Sequence, residues 1–276
     1  MNSLKPRLVT AAVGIPVAVI LMILTELWHP LTGICVGIVN GMMILEYLNA
    51  KHLINCLPLT IVCAAFSVLT PVFIATDFWY IFAVLFMIAA FSVLIYLHKK
   101  LSFSSFTYAV SGTALITFGM SAFAVAANNE ISSSFFFALM LLLPWMADGG
   151  GYFIGSKFGS RKLCPGISPK KTVEGAIGGF VFCLISALVM GLIFQIFIIR
   201  DYKVNFLPII IIALLDSAVS ILGDISFSLI KRNLNIKDYG SIFPGHGGVL
   251  DRFDSIIFTA PLAVAVNIVL PFFTAV

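Results

Sequence analysis

Apolar runs of about 20 residues recur along this chain, and each has the length of a helix that crosses a bilayer. Hydrophobic residues make up 61% of the 276 positions and charged residues 10%, which excludes an ordinary soluble domain. Alternating ten-residue segments, the pattern of an outer-membrane barrel, are absent. The chain therefore reads as all-α: a polytopic integral membrane helical bundle with about nine transmembrane helices. Spans fall near 8–27, 30–48, 53–74, 78–97, 107–127, 133–152, 172–199, 206–230 and 254–275. Pro71 and Asp77 mark the break that divides 53–97 into two spans. The first run follows Lys5 and Arg7 and continues through Leu27 without a small-residue cleavage site, so it reads as a retained helix. The five cysteines, Cys35, Cys56, Cys63, Cys164 and Cys183, show no Cys-x-x-Cys spacing and read as small hydrophobes, with no disulfide and no zinc site.

Nine crossings make the polar connections alternate between two sides. One side receives 14 of the 16 Lys and Arg residues, and the other only Arg200 and Lys203. The positive-inside rule then places the N-terminus in the cytoplasm and the C-terminus outside. Two connections, 153–171 and 231–253, emerge on the cytoplasmic face. They carry nine of those cations: Lys157, Arg161, Lys162, Lys170, Lys171, Lys231, Arg232, Lys237 and Arg252. Positive-inside topology needs fewer charges per loop, and these loops also concentrate glycine and carboxylate.

In the first loop, Gly151, Gly155 and Gly159 recur every fourth residue, a spacing that also suits close helix packing. Gly-Lys-Ser/Thr is missing, so this is not a Walker A loop. Ser168-Pro169 has the form of a helix start, with Ser168 as N-cap and Pro169 at the first helical position. Lys170 and Lys171 then fall in the first turn, where cations oppose the helix dipole unless an anion sits there. The sequence predicts a phosphate site at that terminus.

The acids are the complementary signal. Glu46, Asp148, Glu174, Asp216 and Asp224 lie in or at the ends of spans, where ionisable groups need partners or a wet cavity. For Asp216 a structural hydrogen bond and a functional role both stand. Ser217, Asp224 and Ser228 form a polar stripe on the eighth span, with Asp224 facing the bundle. Asp251 and Asp254, three apart at the start of the last helix, share a face. They suit either the helix dipole or Mg²⁺, which takes one or two carboxylates plus substrate phosphate. His246, between glycines, suits a turn-stabilising or phosphate-contacting role better than general base catalysis.

The run Ser228-x-x-Lys231-Arg232-x4-Lys237-Asp238-x5-Pro244-Gly245-His246-Gly247-Gly248-x-x-Asp251-Arg252-x-Asp254 resembles the signature of the phosphatidate cytidylyltransferases, or CDP-diacylglycerol synthases. The segment from Asp148 to Gly179, with Tyr152-Phe153-x-Gly155 and Ser168-Pro169-Lys170-Lys171-Thr172-x-Glu174-Gly175, resembles that family's other recurrent segment. It carries Gly149-Gly150-Gly151 where related chains often have Thr-Gly-Ala. The two segments cover about a quarter of the chain.

The resemblance implies transfer from CTP to phosphatidate, giving CDP-diacylglycerol and pyrophosphate, with one or two Mg²⁺ ions. It makes Asp224, Asp251 and Asp254 the metal ligands and, with Lys231, Arg232 and Arg252, the catalytic set. Substrate binding would fall to Asp148, Tyr152, Ser168, Lys170, Lys171, Glu174, Ser228, Lys237, Asp238, Gly245, His246, Gly247 and Gly248. Residues 1–276 would form a single membrane domain, with N-terminal helices over 1–130 and the catalytic helices and cytoplasmic loops over 131–276. The expected partners are CTP, phosphatidate and membrane lipids, without nucleic acid; a homodimer is compatible. The expected location is the bacterial inner membrane, with the active site facing the cytoplasm. A related membrane CTP:lipid cytidylyltransferase, a polyprenol kinase and an ion-coupled transporter are the alternatives. No internal repeat supports the last.

Overall fold

A computed structural model describes residues 20, 23, 26, 28–76, 78–128, 131–198, 201–243 and 247–275. Among the described residues seven helical stretches are long and apolar enough to cross a membrane, the last of them running over Leu250–Val269 with a short interruption, and the chain is an all-α integral membrane protein. The expected span at 8–27 lies mostly outside the described residues. The chain divides into two compact units, residues 1–128 with 233–253, and residues 129–232 with 254–276.

The first unit contains helices α1 (Pro30–Ala50), α2 (Leu57–Phe73), α3 (Trp79–Tyr96) and α4 (Phe103–Ala127). α2 ends at Phe73 and α3 begins at Trp79, so 53–97 holds two helices as expected; Pro71 does not make the break, since it lies inside α2, and Asp77 is outside the described residues. α1 packs on α2 and α4. Gly37 lets the α1 backbone press directly against the carbonyl of Val68 in α2, where a Cβ would collide. The Asn40 side chain donates to the Ser67 carbonyl at 3.3 Å, satisfying a polar group inside this apolar seam. Only 11% of the α3 window is buried, against 67% for α4. An apolar helix so open is a lipid-facing one.

The second unit contains α5 (Ser133–Phe158), strands β1 (Lys162–Cys164) and β2 (Ser168–Thr172), α6 (Val173–Ile193), β3 (Tyr202–Val204), α7 (Phe206–Asn233), α9 (Ile256–Val269) and β4 (Phe273–Ala275). The single turn α8 (Leu250–Phe253) belongs to the first unit. β1 pairs with β2 and β3 with β4, both antiparallel. Phe135 and Phe273 stack edge to face at 4.9 Å between centroids, anchoring the start of α5 against β4.

α5 and α6 make the closest helix pair of this unit, along a seam of small residues. α5 runs through Phe158, so Gly151 and Gly155 are helical rather than part of a loop beginning at 153, and they serve packing. A Cβ on Gly179 would stand 2.7 Å from the Ala147 carbonyl oxygen. Gly179→Val is therefore expected to lose about 1–3 kcal/mol of stability. Gly149→Ala, which points into open space, should leave it unchanged. The folded fraction surviving a heating series, read by size-exclusion chromatography, checks this; equal survival would mean the seam yields.

Candidate active site

The segment between α5 and α6 decides how the first cluster is built. Ser168 does not start a helix. Residues Ser168–Thr172 form β2, paired with β1 through Lys162 opposite Thr172 and Cys164 opposite Ser168. The helix begins at Val173, and Thr172 is its N-cap, accepting from the Gly175 N–H at 3.1 Å. Glu174, in the first turn, accepts from the Ser160 hydroxyl at 2.6 Å and from the Ser160 and Arg161 N–H groups at 3.1 and 3.2 Å. Those bonds tie the end of the preceding helix to the new one, and the pairing they support outcompetes a helical start at Ser168.

Lys170 and Lys171 consequently sit on a strand, not at a helix N-terminus. Successive strand residues point to opposite faces. Lys170 is exposed, whereas Lys171 turns inward. Its Nζ lies 2.6 Å from Asp224 Oδ2 on α7. Ser228, one turn further along α7, donates to Asp224 Oδ1 at 3.3 Å. Asp224 and Ser228 thus act on one stripe, as their spacing predicts.

Asp254 and Lys231 supply a second pair in this unit, at 3.7 Å, with both residues only 8% exposed. Asp254 Oδ1 accepts from the Ser255 N–H at 2.9 Å. Gly223 makes room for this turn: a Cβ there would meet the Asp254 carbonyl and the Ser255 Cα at about 3 Å. Asp254 also lies in the field of Asp224 and Asp148. Acids and lysines of α5, β2 and α7 are thus gathered about Asp254 and Asp224. Carboxylates in such a cluster suit a divalent cation shared with phosphate oxygens. Among the described residues no three His, Cys, Asp or Glu side chains converge closely enough to ligate one ion by themselves. Two carboxylates completed by substrate fit that arrangement.

Asp251 is held separately, in the first unit. Asp251 lies in α8, whereas Asp254 falls in the two-residue interruption between α8 and α9, so the two are not on one uninterrupted helix. Asp251 Oδ2 accepts from the N–H groups of Tyr239 at 2.8 Å and Gly248 at 3.0 Å. The loop folds back through the Phe243–Gly247 bridge. Gly247 adopts φ +87°, which favours glycine, and a Cβ there would also stand 2.9 Å from Asp251 Oδ2. Pro244, Gly245 and His246 lie outside the described residues.

Glu46 on α1 gives this loop its other anchor. Its carboxylate accepts from the Val249 N–H at 3.0 Å and the Leu250 N–H at 2.8 Å. Beside it, Tyr47 stacks on Tyr108 at 4.3 Å, and Tyr239 leans on Tyr47 at 6.1 Å. An acid inside an apolar run signalled that Glu46 needs a partner, but nothing local named residues 203 and 204 positions away. Of the other expected substrate-binding residues, Tyr152, Asp148, Lys237 and Asp238 are exposed, as are Arg232 and Arg252. Asp216 is fully buried; Thr259 faces it from α9 without forming a hydrogen bond, and neither carboxylate oxygen has a hydrogen-bond partner among the described residues.

A sequence profile described as the cytidylyltransferase family matches residues 5–270. A phosphatidate cytidylyltransferase of Bacillus subtilis is 44% identical over 126 residues, which cover 46% of this chain and 44% of that protein. One from Haemophilus influenzae is 44% identical over 131 residues, 46% of this chain and 43% of the relative. One from Rickettsia bellii is 35% identical over 202 residues, 72% of this chain and 87% of the relative. The chain thus spans under half the length of several curated relatives it matches, including the Bacillus protein.

Proposed function

Because this chain belongs to the cytidylyltransferase family, we propose that it is a phosphatidate cytidylyltransferase of phospholipid biosynthesis. A phosphate oxygen of phosphatidate attacks the α-phosphorus of CTP. The bond from that phosphorus to the oxygen leading to the β-phosphate breaks, and pyrophosphate leaves with both electrons. The nucleophile is a phosphomonoester, whose second pKa near 6 leaves it anionic without a general base. The barrier is electrostatic, since one anion must approach another. The observation that carries the reading is the charge arrangement of the second unit, with Lys171 against Asp224 and Lys231 against Asp254.

In this reading the two lysines neutralise phosphate oxygens and orient the reactants for in-line displacement. Lys170 and Arg232, exposed in the same unit, add positive potential where anions arrive. Asp224 and Asp254 would hold Mg²⁺, completed by substrate oxygens, and Asp251 would be a further catalytic acid. The metal supplies charge neutralisation at the reacting phosphates. The 14-to-2 distribution of cations supports a cytoplasmic face for this chemistry, in the inner membrane.

One experiment tests chemistry and sidedness together. Sealed membrane vesicles of both orientations carrying the protein are given Mg²⁺, phosphatidate and external CTP, which does not cross the bilayer. CDP-diacylglycerol and pyrophosphate are expected in equal amounts from inverted vesicles alone. Turnover only with a polyprenol or another lipid acceptor would overturn the substrate assignment. Product from right-side-out vesicles would overturn the orientation.

A further inference from the structure

We propose that Glu46, in the N-terminal half of the chain and far in sequence from both signature segments, is a positioning residue for the loop that carries Asp251. This rests on the cytidylyltransferase reading above. The contact is specific on both sides. Glu46 is 8% exposed, and each of its oxygens takes one backbone N–H, from Val249 and from Leu250. Those amides immediately precede Asp251. Asp251 in turn draws in the amides of Tyr239 and Gly248, so among the described residues two carboxylates hold N–H groups at 239 and over 248–250.

The space around Glu46 is shaped for that carboxylate. A Cβ on Gly240 would collide with Glu46 Oε1 and stand 2.7 Å from its Cδ, and one on Gly248 would collide with both oxygens. Two glycines from opposite ends of the loop therefore press their backbones onto one side chain. A buried carboxylate is costly unless its lone pairs are met. Here they are met only when the loop holds this conformation, so Glu46 selects the conformation that presents Asp251 and Arg252. Topology or helix packing would need none of this, since neutral residues fill the rest of the α1 interface.

Two substitutions approach the contact from opposite sides. Glu46→Gln keeps the size but offers one acceptor, and its NH₂ faces a backbone N–H. Gly240→Ala keeps the carboxylate and pushes it off its amides. Each purified full-length variant is assayed with CTP, phosphatidate and Mg²⁺, and kcat is expressed per folded molecule by size-exclusion chromatography. We expect kcat about 10- to 100-fold lower in both, from charge-assisted hydrogen bonds that are lost. Glu46→Gln/Gly240→Ala should be little worse than either, because both act on one contact. A structural role alone would lower the folded fraction and melting temperature while leaving kcat per folded molecule at the wild-type value. That result in Glu46→Gln overturns the proposal. If Glu46→Gln does not fold, Gly240→Ala decides, and full kcat in that variant overturns it. Wild-type protein inactive in the same assay would overturn the proposed function instead, so the two failures are distinguishable.

Discussion

Asp254→Asn is expected to reduce CDP-diacylglycerol formation by at least two orders of magnitude, about 3 kcal/mol of transition-state stabilisation. The variant keeps an oxygen for the Ser255 N–H and nearly the same volume. It removes the charge that faces Lys231 and that would hold the metal. Stability should fall as well, because Lys231 is only 8% exposed and loses the Asp254 charge it faces. Breaking a buried pair costs up to about 3–5 kcal/mol, less here because the 3.7 Å separation is loose and a lysine stem can reach toward water. The double variant Lys231→Gln/Asp254→Asn separates the two effects. It should recover most of the lost thermal stability and none of the turnover. Recovery of turnover in the double variant would show that Asp254 serves only to neutralise Lys231. Near-wild-type activity of Asp254→Asn across a Mg²⁺ titration would remove it from the metal site.

Lys171→Gln should lower turnover about 10- to 100-fold, the size of a lost charge-assisted contact. Lys170→Gln should stay within about threefold, as exposed charges contribute little. The two neighbours differ because β2 sends them to opposite faces, and only Lys171 reaches Asp224. A contact equally strong in ground and transition states raises KM alone, whereas one tightened during transfer lowers kcat. Measuring both constants for CTP and for phosphatidate therefore also assigns the lysine to a substrate. Lys157→Gln is the control, since that ammonium lies over the Phe153 ring at 4.3 Å rather than against a carboxylate. Equal losses at all three positions would mean that general positive potential, not the strand geometry, explains the segment.

The Lys170–Lys171 pair shows where local reading stops. Ser168-Pro169 is a sound helix start by capping preference, yet Thr172 caps the helix four residues later. What decides between them is the pairing of β2 with Lys162–Cys164 and the three donors that Ser160 and Arg161 give to Glu174. Local propensities differ by tenths of a kcal/mol, and a few such tertiary bonds override them. Asp251 and Asp254 teach the same lesson. Their spacing promises one helix face, but the helix is interrupted between Phe253 and Ile256, and each carboxylate answers to different backbone groups.

The apolar runs by themselves determined that this is a helical membrane protein and where most of its spans lie, because the cost of exposing backbone polar groups to lipid leaves helix as the outcome for such runs. The charged and glycine-rich stretches likewise marked Asp224, Lys231, Asp251 and Asp254, since so few ionisable residues occur in so apolar a chain. The tertiary structure alone decided which of them meet. Lys171 finds Asp224 across 53 positions, and Glu46 finds Val249 across 203, through packing of whole helices that no periodicity within a segment encodes.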